Sequence, residues 1–258
     1  MLQKIAKSKS FDLLGVLIVV AISIASGYLT ETLADVTHWG HWTVFVPFGI
    51  ISIINSILSI YSTRLTGRMN NLGNVVGIAN VVLSGTIDYI LGNQAAVITY
   101  PVTFIIYTVA IEHWKRTEKY KSSKPMTGAK GVLTIIGMFI LSLLFSFGTN
   151  YIGWTNGLTD PLFWITVIAF GLSLGANVLN AMKFEMQWKF WVLYDFIQLA
   201  KAGIQGNFAN IGKYVYYIIN AIAALAFWRD PLEVTPASKV SQKVDRAQLK
   251  GPQLYLQA

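Results

Sequence analysis

The chain has 258 residues, 54% of them hydrophobic and 12% charged, with a mean hydropathy of +0.52. Soluble domains carry roughly 25% charged residues, so this composition excludes an ordinary water-soluble domain. The net charge of +8 raises nucleic acid as a partner, but that needs Lys and Arg gathered on one folded surface, and here they fall between apolar runs. Cysteine is absent, which excludes disulfides, thiolate metal ligands and thiol nucleophiles.

Eight runs approach the roughly 20 apolar residues that cross a hydrocarbon core of about 30 Å. In chain order they are Phe11 to Thr30, Trp42 to Ser62, Asn71 to Leu91, Gln94 to His113, Gly131 to Tyr151, Pro161 to Ala181, Gln187 to Ile204 and Asn207 to Trp228. The third is interrupted by Asn74, Asn80 and Asp88, the seventh by Asp195 and Gln198. The first ends in Ala25, Ser26 and Gly27 like a signal peptide, but its apolar run exceeds the usual 7 to 15 residues, so we expect a retained helix.

Sorting the basic residues among alternate connections tests the count, because cytoplasmic loops carry the excess of Lys and Arg. Eighteen of the 20 fall on one side, including Lys4, Lys7, Lys9, Arg64, Arg68, Lys115, Arg116, Lys183, Lys189 and Arg229. Only Lys201 and Lys213 flank the opposite ends of the last two spans. The reading is an all-α polytopic inner-membrane protein with eight transmembrane helices and both termini cytoplasmic.

An offset of 114 residues lays the chain on itself without gaps, pairing Pro47 with Pro161, Gly92-Asn93 with Gly206-Asn207, Tyr100 with Tyr214 and Trp114 with Trp228. This predicts two parallel three-helix repeats, 42–114 and 161–228, joined by a linker helix in 115–160. An extra helix and outer loop occupy 1–41, and a polar tail with Pro231, Pro236 and Pro252 fills 229–258. In parallel-repeat carriers the substrate sits near the midplane between the halves.

An Asp at the centre of a spanning helix costs roughly 2.5 to 3.5 kcal/mol, so such a residue faces a cavity or a partner. Trp188, Trp191, Asp195 and Gln198 stand at i, i+3, i+7 and i+10, one stripe of the seventh span. Weaker polar stripes are Asn55 with Ser52, Ser56 and Ser59, then Asn177 and Asn180 with Ser173, then Tyr217 with Asn220. Indole faces hold a flat ring and favour a cationic one. Asp, Asn and Gln suit ribose hydroxyls or an amide, and a pyridinium riboside meets each requirement. The serines are expected to serve helix packing, as are Gly73-x-x-x-Gly77 and Gly171-x-x-x-Gly175, which let helices approach closely. Trp39, Trp42, Trp114, Trp154 and Trp228, at span ends, are expected in the interfacial belt. Asp88 reads equally as a snorkelling or a functional residue.

Catalytic and cofactor signatures are missing. Gly206, Gly212 and Lys213 come nearest to a phosphate loop, with one residue too many and Tyr214 where Ser or Thr belongs. Asp35, His38 and His41 offer no evident third protein ligand for zinc in addition to the two histidines and lie in a loop, so no metal or cofactor is assigned.

Gln187-Trp188-x-x-Trp191, Asp195, Tyr217-x-x-Asn220 and Trp228 together resemble the C-terminal signature of the bacterial PnuC family of vitamin transporters. The resemblance runs over about Trp42 to Trp228. It implies a three-one-three helix fold similar to the SWEET sugar transporters, uptake of nicotinamide riboside, and a homotrimer. It further implies facilitated diffusion made effective by cytoplasmic phosphorylation of the arriving nucleoside. It adds Gln187 to the substrate-binding set, with Asn80 and Thr103, the latter where many relatives carry Gln. Relatives that carry thiamine, riboflavin or deoxynucleosides share the fold, and a membrane enzyme built on Asp195 is the competing reading from another class.

Overall fold

The computed structural model describes residues 2–37, 39–117, 128–153, 158–204 and 208–229. Helices carry the regular structure: α1 (Leu2–Lys7), α2 (Lys9–Ala25), α3 (Leu33–Val36), α4 (Phe48–Gly67), α5 (Leu72–Ile90), α6 (Ala96–Arg116), α7 (Gly128–Gly153), α8 (Pro161–Ala181), α9 (Gln187–Ile204) and α10 (Phe208–Trp228). The last three match the expected spans to within one residue. Two early boundaries differ. The first helix stops at Ala25 because Gly27 turns left-handed at φ 74 and opens a 3-10 turn over Tyr28–Thr30. The second begins at Phe48 because His41–Phe45 form a 3-10 turn and Pro47 caps the helix, after which α4 runs on to Gly67.

Five helices are long and apolar enough to cross a bilayer: Phe48–Gly67, Ala96–Arg116, Gly131–Gly153, Pro161–Ala181 and Ile211–Trp228. Helices α2, α5 and α9 fall outside that set. The first has only 17 residues, and the others carry the polar residues that mark the site below. Of the five, α8 is the most buried and α7 the least, so α7 lies at the periphery.

Helices α4, α5 and α6 pack as one unit and α8, α9 and α10 as another, with α6 against α8 and α10 against α4. Helix α7 packs on α8, α2 on α4 and α10, and α1 on α10.

The ends of α4 and α8 have one backbone design at positions 114 apart. Met69 (φ 57) and Lys183 (φ 60) are the positive-φ residues other than glycine among the described residues. Around them Met69 N donates to Thr66 O and Lys183 N to Asn180 O, both at 2.9 Å. Asn70 N donates to Leu65 O and Phe184 N to Leu179 O, again both at 2.9 Å. These bonds satisfy carbonyls that a helix end leaves free. Each unit then caps the other. The indole N–H of Trp114, on α6, donates to Asn180 O at the end of α8 (2.7 Å), and that of Trp228, on α10, donates to Gly67 O at the end of α4 (3.1 Å). Trp114 is 2% exposed and Trp228 0%, which corrects their assignment to the interfacial belt: their donors are engaged inside the protein. Trp39 and Trp42 are more than half exposed, and Trp154 lies outside the described residues.

Gly73 permits the close approach expected of it, since a Cβ there would meet Thr66 N at 2.5 Å. Gly77 instead clears space for the Tyr107 ring, and Gly175 for Phe190. In the loop before α4, Asp35 accepts from Thr32 N (2.7 Å) and Thr32 Oγ1 (2.8 Å), bonds that hold its carboxyl below the usual carboxylate range. That carboxylate closes the start of α3; His38 lies outside the described residues.

Arg64, sorted by sequence among the basic residues of the cytoplasmic connections, is 2% exposed. Its guanidinium bonds to the Asp12 carboxylate, to Asn220 Oδ1 (2.8 Å), and to the carbonyls of Ile5 (2.8 Å), Ala6 (3.0 Å) and Ser8 (2.9 Å). Arg68 joins the same carboxylate at 2.5 and 2.6 Å. The cluster ties the α1–α2 elbow to α4 and α10. Removing one partner of a buried pair strands the other charge, so Arg64→Ala should lose about 3 to 5 kcal/mol of stability. Thermal unfolding in detergent checks this, with Lys9→Ala as a substitution expected to change little.

Candidate functional site

A cavity of about 840 Å³ lies between the two three-helix units, with α2 along one side. Small-molecule sites typically span about 300 to 1,000 Å³. Nine of the twelve residues expected at the site line it. Trp188, Trp191, Asp195 and Gln198 come from α9, so the stripe faces the cavity as a unit. Tyr217 and Asn220 come from α10, Asn55 from α4, Asn80 from α5 and Thr103 from α6.

The other three, Gln187, Asn177 and Asn180, do not reach this cavity. They surround an adjoining crevice of about 10 Å³, shared with Trp188 and Trp191, toward the end of the bundle where α1 packs. Helix α9 begins at Gln187, one residue before Trp188 and one turn before Trp191, which places that side chain at the foot of the stripe, by the crevice. Asn180 is also committed elsewhere, its Nδ2 donating to Asn74 Oδ1 at 2.7 Å. Gln187 is 0% exposed. Among the described residues its amide N and O, Asn177 Oδ1, Asn180 Oδ1 and the Trp188 indole N–H have no hydrogen-bond partner.

The cavity wall is otherwise organised. Asn80 Nδ2 donates to Asn55 Oδ1 (2.8 Å) while Asn55 Nδ2 donates to Ser84 Oγ (2.9 Å), a network joining α4 and α5. Gln198 Nε2 donates to the Tyr194 hydroxyl (2.9 Å), and Tyr217 donates to Ser59 Oγ (3.0 Å). The Trp191 and Tyr194 rings meet edge to face at 5.4 Å, and Tyr194 meets Tyr214 at 6.5 Å. Trp188 packs against Trp228 at 6.0 Å. Asn220 lines the cavity and also receives the Arg64 bond described above.

Asp195 stands apart. It is 4% exposed, and among the described residues neither a hydrogen bond nor an ion pair engages its carboxylate. A carboxylate held without a partner inside a helix bundle, on a wall of aromatic rings, is suited to receive a cation or hydrogen-bond donors from a ligand.

Several expectations need correction. Ser52, Ser56, Ser59 and Ser173 line the cavity rather than serving helix packing alone, because small polar side chains leave the volume open. Asp88 lines it too and receives the Tyr100 hydroxyl, for which Gly85 clears space. Lys201 and Lys213 do not merely flank the spans; both line the cavity, and Lys201 Nζ donates to Thr166 Oγ1 at 3.2 Å. Tyr100, Tyr107, Tyr194 and Tyr214 also line it and were missed. The signal existed for three of these. Tyr100 and Tyr214 are partners under the offset of 114, and Tyr194 sits one helical turn from both Trp191 and Gln198.

Replacing an unpartnered buried amide by an apolar group of the same size removes a desolvation penalty of about 1 to 3 kcal/mol. Gln187→Leu is therefore expected to raise the thermal stability of the ligand-free protein in detergent. A fall in stability would mean that the amide is satisfied in the folded state.

Comparison with known proteins agrees with this geometry. No curated protein matches the chain. Among solved structures, the crystal structure of the vitamin B3 transporter PnuC is similar in fold, with a TM-score of 0.59 at 14% identity over 86% of this chain and 91% of that one. The family model described as nicotinamide mononucleotide transporter matches residues 49–230, from the start of α4 to just beyond α10. That family consists of transporters rather than enzymes. On that match the chain belongs to the nicotinamide mononucleotide transporter family, the PnuC family of multi-pass membrane proteins.

Proposed function

We propose that this protein carries nicotinamide riboside across the bacterial inner membrane by facilitated diffusion, with phosphorylation in the cytoplasm retaining the arriving substrate. The observation that carries the reading is the α9 stripe: an unpartnered Asp195 carboxylate beside Trp188 and Trp191 on the wall of a cavity large enough for a nucleoside. A pyridinium ring brings a positive charge that both the aromatic faces and the carboxylate attract, the former by about 0.5 to 2 kcal/mol per ring. Gln198, Asn55, Asn80, Thr103, Tyr217 and Asn220 supply donors and acceptors for ribose. Gln187, Asn177 and Asn180 hold open polar capacity for the carboxamide if the crevice widens.

The transport cycle we propose rests on two parallel repeats, 42–114 and 161–228, which rock about the cavity, with α7 as linker and α2 as the extra first helix. The paired helix ends and exchanged Trp114 and Trp228 bonds support this division. Counting α2, α5 and α9 with the five apolar helices gives eight spans and puts both termini in the cytoplasm. The domain limits 1–41, 115–160 and 229–258 follow from that arrangement. On the family resemblance, we propose a homotrimer.

A second reading, carriage of the phosphorylated mononucleotide, finds support in Lys201 and Lys213 on the cavity wall. Against it, a phosphate brings about −1.5 to −2 charges into a cavity that already holds Asp88 and Asp195. Tryptophan quenching in detergent separates the readings. Nicotinamide riboside should quench, and thiamine, riboflavin and the mononucleotide should do so far more weakly. Trp191→Ala should weaken riboside binding at least about tenfold, which is about 1.4 kcal/mol. Riboside binding that is unaffected by this substitution would contradict the assignment. For the trapping step, proteoliposomes should only equilibrate the riboside with the outside medium, and should accumulate label once a riboside kinase and ATP are enclosed. Accumulation against a gradient without the kinase would point to ion coupling instead.

A further inference from the structure

Four charged side chains on the helices line the cavity: Asp88, Asp195, Lys201 and Lys213. Two of them have partners. Asp88 receives the Tyr100 hydroxyl, and Lys201 donates to Thr166. Among the described residues, Asp195 and Lys213 have neither a hydrogen bond nor an ion pair, although each faces the same space. The Lys213 ammonium lies 4.9 Å from the centre of the Tyr214 ring, and that ring in turn meets Tyr194, the neighbour of Asp195 in sequence.

Placement along the helices brings the two leftover charges to similar depth. Helix α9 ends at Ile204 and α10 begins at Phe208, at one end of the bundle. At 1.5 Å per residue, Asp195 lies about 14 Å below the end of α9 and Lys213 about 8 Å below the start of α10, a difference of about 6 Å. A lysine stem of four methylenes can cover such a distance. Lys213, Tyr217 and Asn220 stand at i, i+4 and i+7, so the lysine shares the face of α10 that carries two expected ligand contacts. Lysines near a helix end often extend toward water. Lys213 instead stacks on Tyr214 inside the cavity.

We propose that Lys213 is the resident counter-ion of Asp195 and that a cationic ring binds by displacing it. In the empty cavity the ammonium balances the carboxylate across solvent. When a ring with one positive charge settles against Trp191 and Asp195, it takes over the carboxylate, while the ammonium keeps its place over the Tyr214 ring face. Lys213 thus sets specificity by competition: it lowers affinity for a monocation and offsets the Asp195 charge in the empty site without a co-transported ion. This inference rests on the proposed riboside reading.

The test is a binding titration by tryptophan quenching in detergent, using nicotinamide riboside and its uncharged 1,4-dihydro form. Removing a like charge several ångströms away should tighten binding of the cation about tenfold in Lys213→Met, and leave the uncharged form unchanged. Lys213→Gln is the second variant should the first fold poorly, and Lys213→Arg should behave as the unaltered protein does. In Asp195→Asn, removing Lys213 should bring a clearly smaller gain, because only direct repulsion of the cation is then relieved, the signature of coupled sites in a double-mutant cycle. If the riboside binds the unaltered protein yet Lys213→Met and Lys213→Gln bind it no more tightly, or tighten the charged and uncharged forms equally, the competition is overturned and the riboside reading stands. If the unaltered protein binds no riboside, the functional reading fails and this one with it.

Discussion

A carboxyl group in the middle of a helix bundle must be answered by some other charge or by donors, and among the described residues no hydrogen bond or close ion pair reaches Asp195. Much else in the structure follows from keeping that group accessible to a ligand while shielding it from lipid. Helix α9 is too polar to stand in lipid unaided and is packed between α8 and α10. Helix α8 is accordingly the most buried of the apolar helices, and α7 screens it from the side. Asp12 makes the contrast: that carboxylate is claimed by two guanidinium groups and fixes structure, whereas Asp195 keeps the open position on which the proposed ligand role rests.

The two three-helix units hold one another at one end as well as through the Tyr217–Ser59 bond on the cavity wall. Each indole donates to the last carbonyls of the other unit's first helix, and Asn180 bridges to Asn74. These bonds lie at the end where α1 packs, and the Arg64 cluster reinforces them by joining α4, α10 and the α1–α2 elbow. Between that end and the open cavity, Gln187, Asn177, Asn180 and Trp188 hold unpartnered polar atoms around a crevice with room for about one water molecule. A set of polar groups left unsatisfied in one arrangement favours a second arrangement in which they are met, which is what a carrier that alternates between two states requires.

Much of this was legible in the sequence. The positions of α8 and α10 follow from apolar length and those of α5 and α9 from the alternation of basic connections, while the α9 stripe follows from spacing, because an Asp in a spanning helix leaves few alternatives. The family was legible from Gln187-Trp188-x-x-Trp191 and its neighbours. What escaped was pairing across the chain. Asp12 carries no signal of its own and Arg64 sorts with the basic connections, since periodicity along one helix says nothing of a bond spanning 52 positions. Trp114 and Trp228 sit where belt residues sit, and only the fold shows their indoles turned inward to the opposite unit. Lys201 and Lys213 were misplaced for a related reason: sorting charges by loop treats a lysine near a helix end as facing water, although its stem can equally point into a cavity. Gln187, one residue before the stripe begins, lines the crevice rather than the cavity, a distinction that spacing along one helix does not draw.

The most direct test of the central claim, that the α9 stripe receives a cationic ring, is an experimental structure with nicotinamide riboside bound. The pyridinium ring should lie against the Trp191 face, within about 6 Å of its centroid, with Asp195 as the nearest carboxylate. A ring bound beside Asp88, or outside the cavity with Asp195 paired to a side chain of the protein, would contradict it.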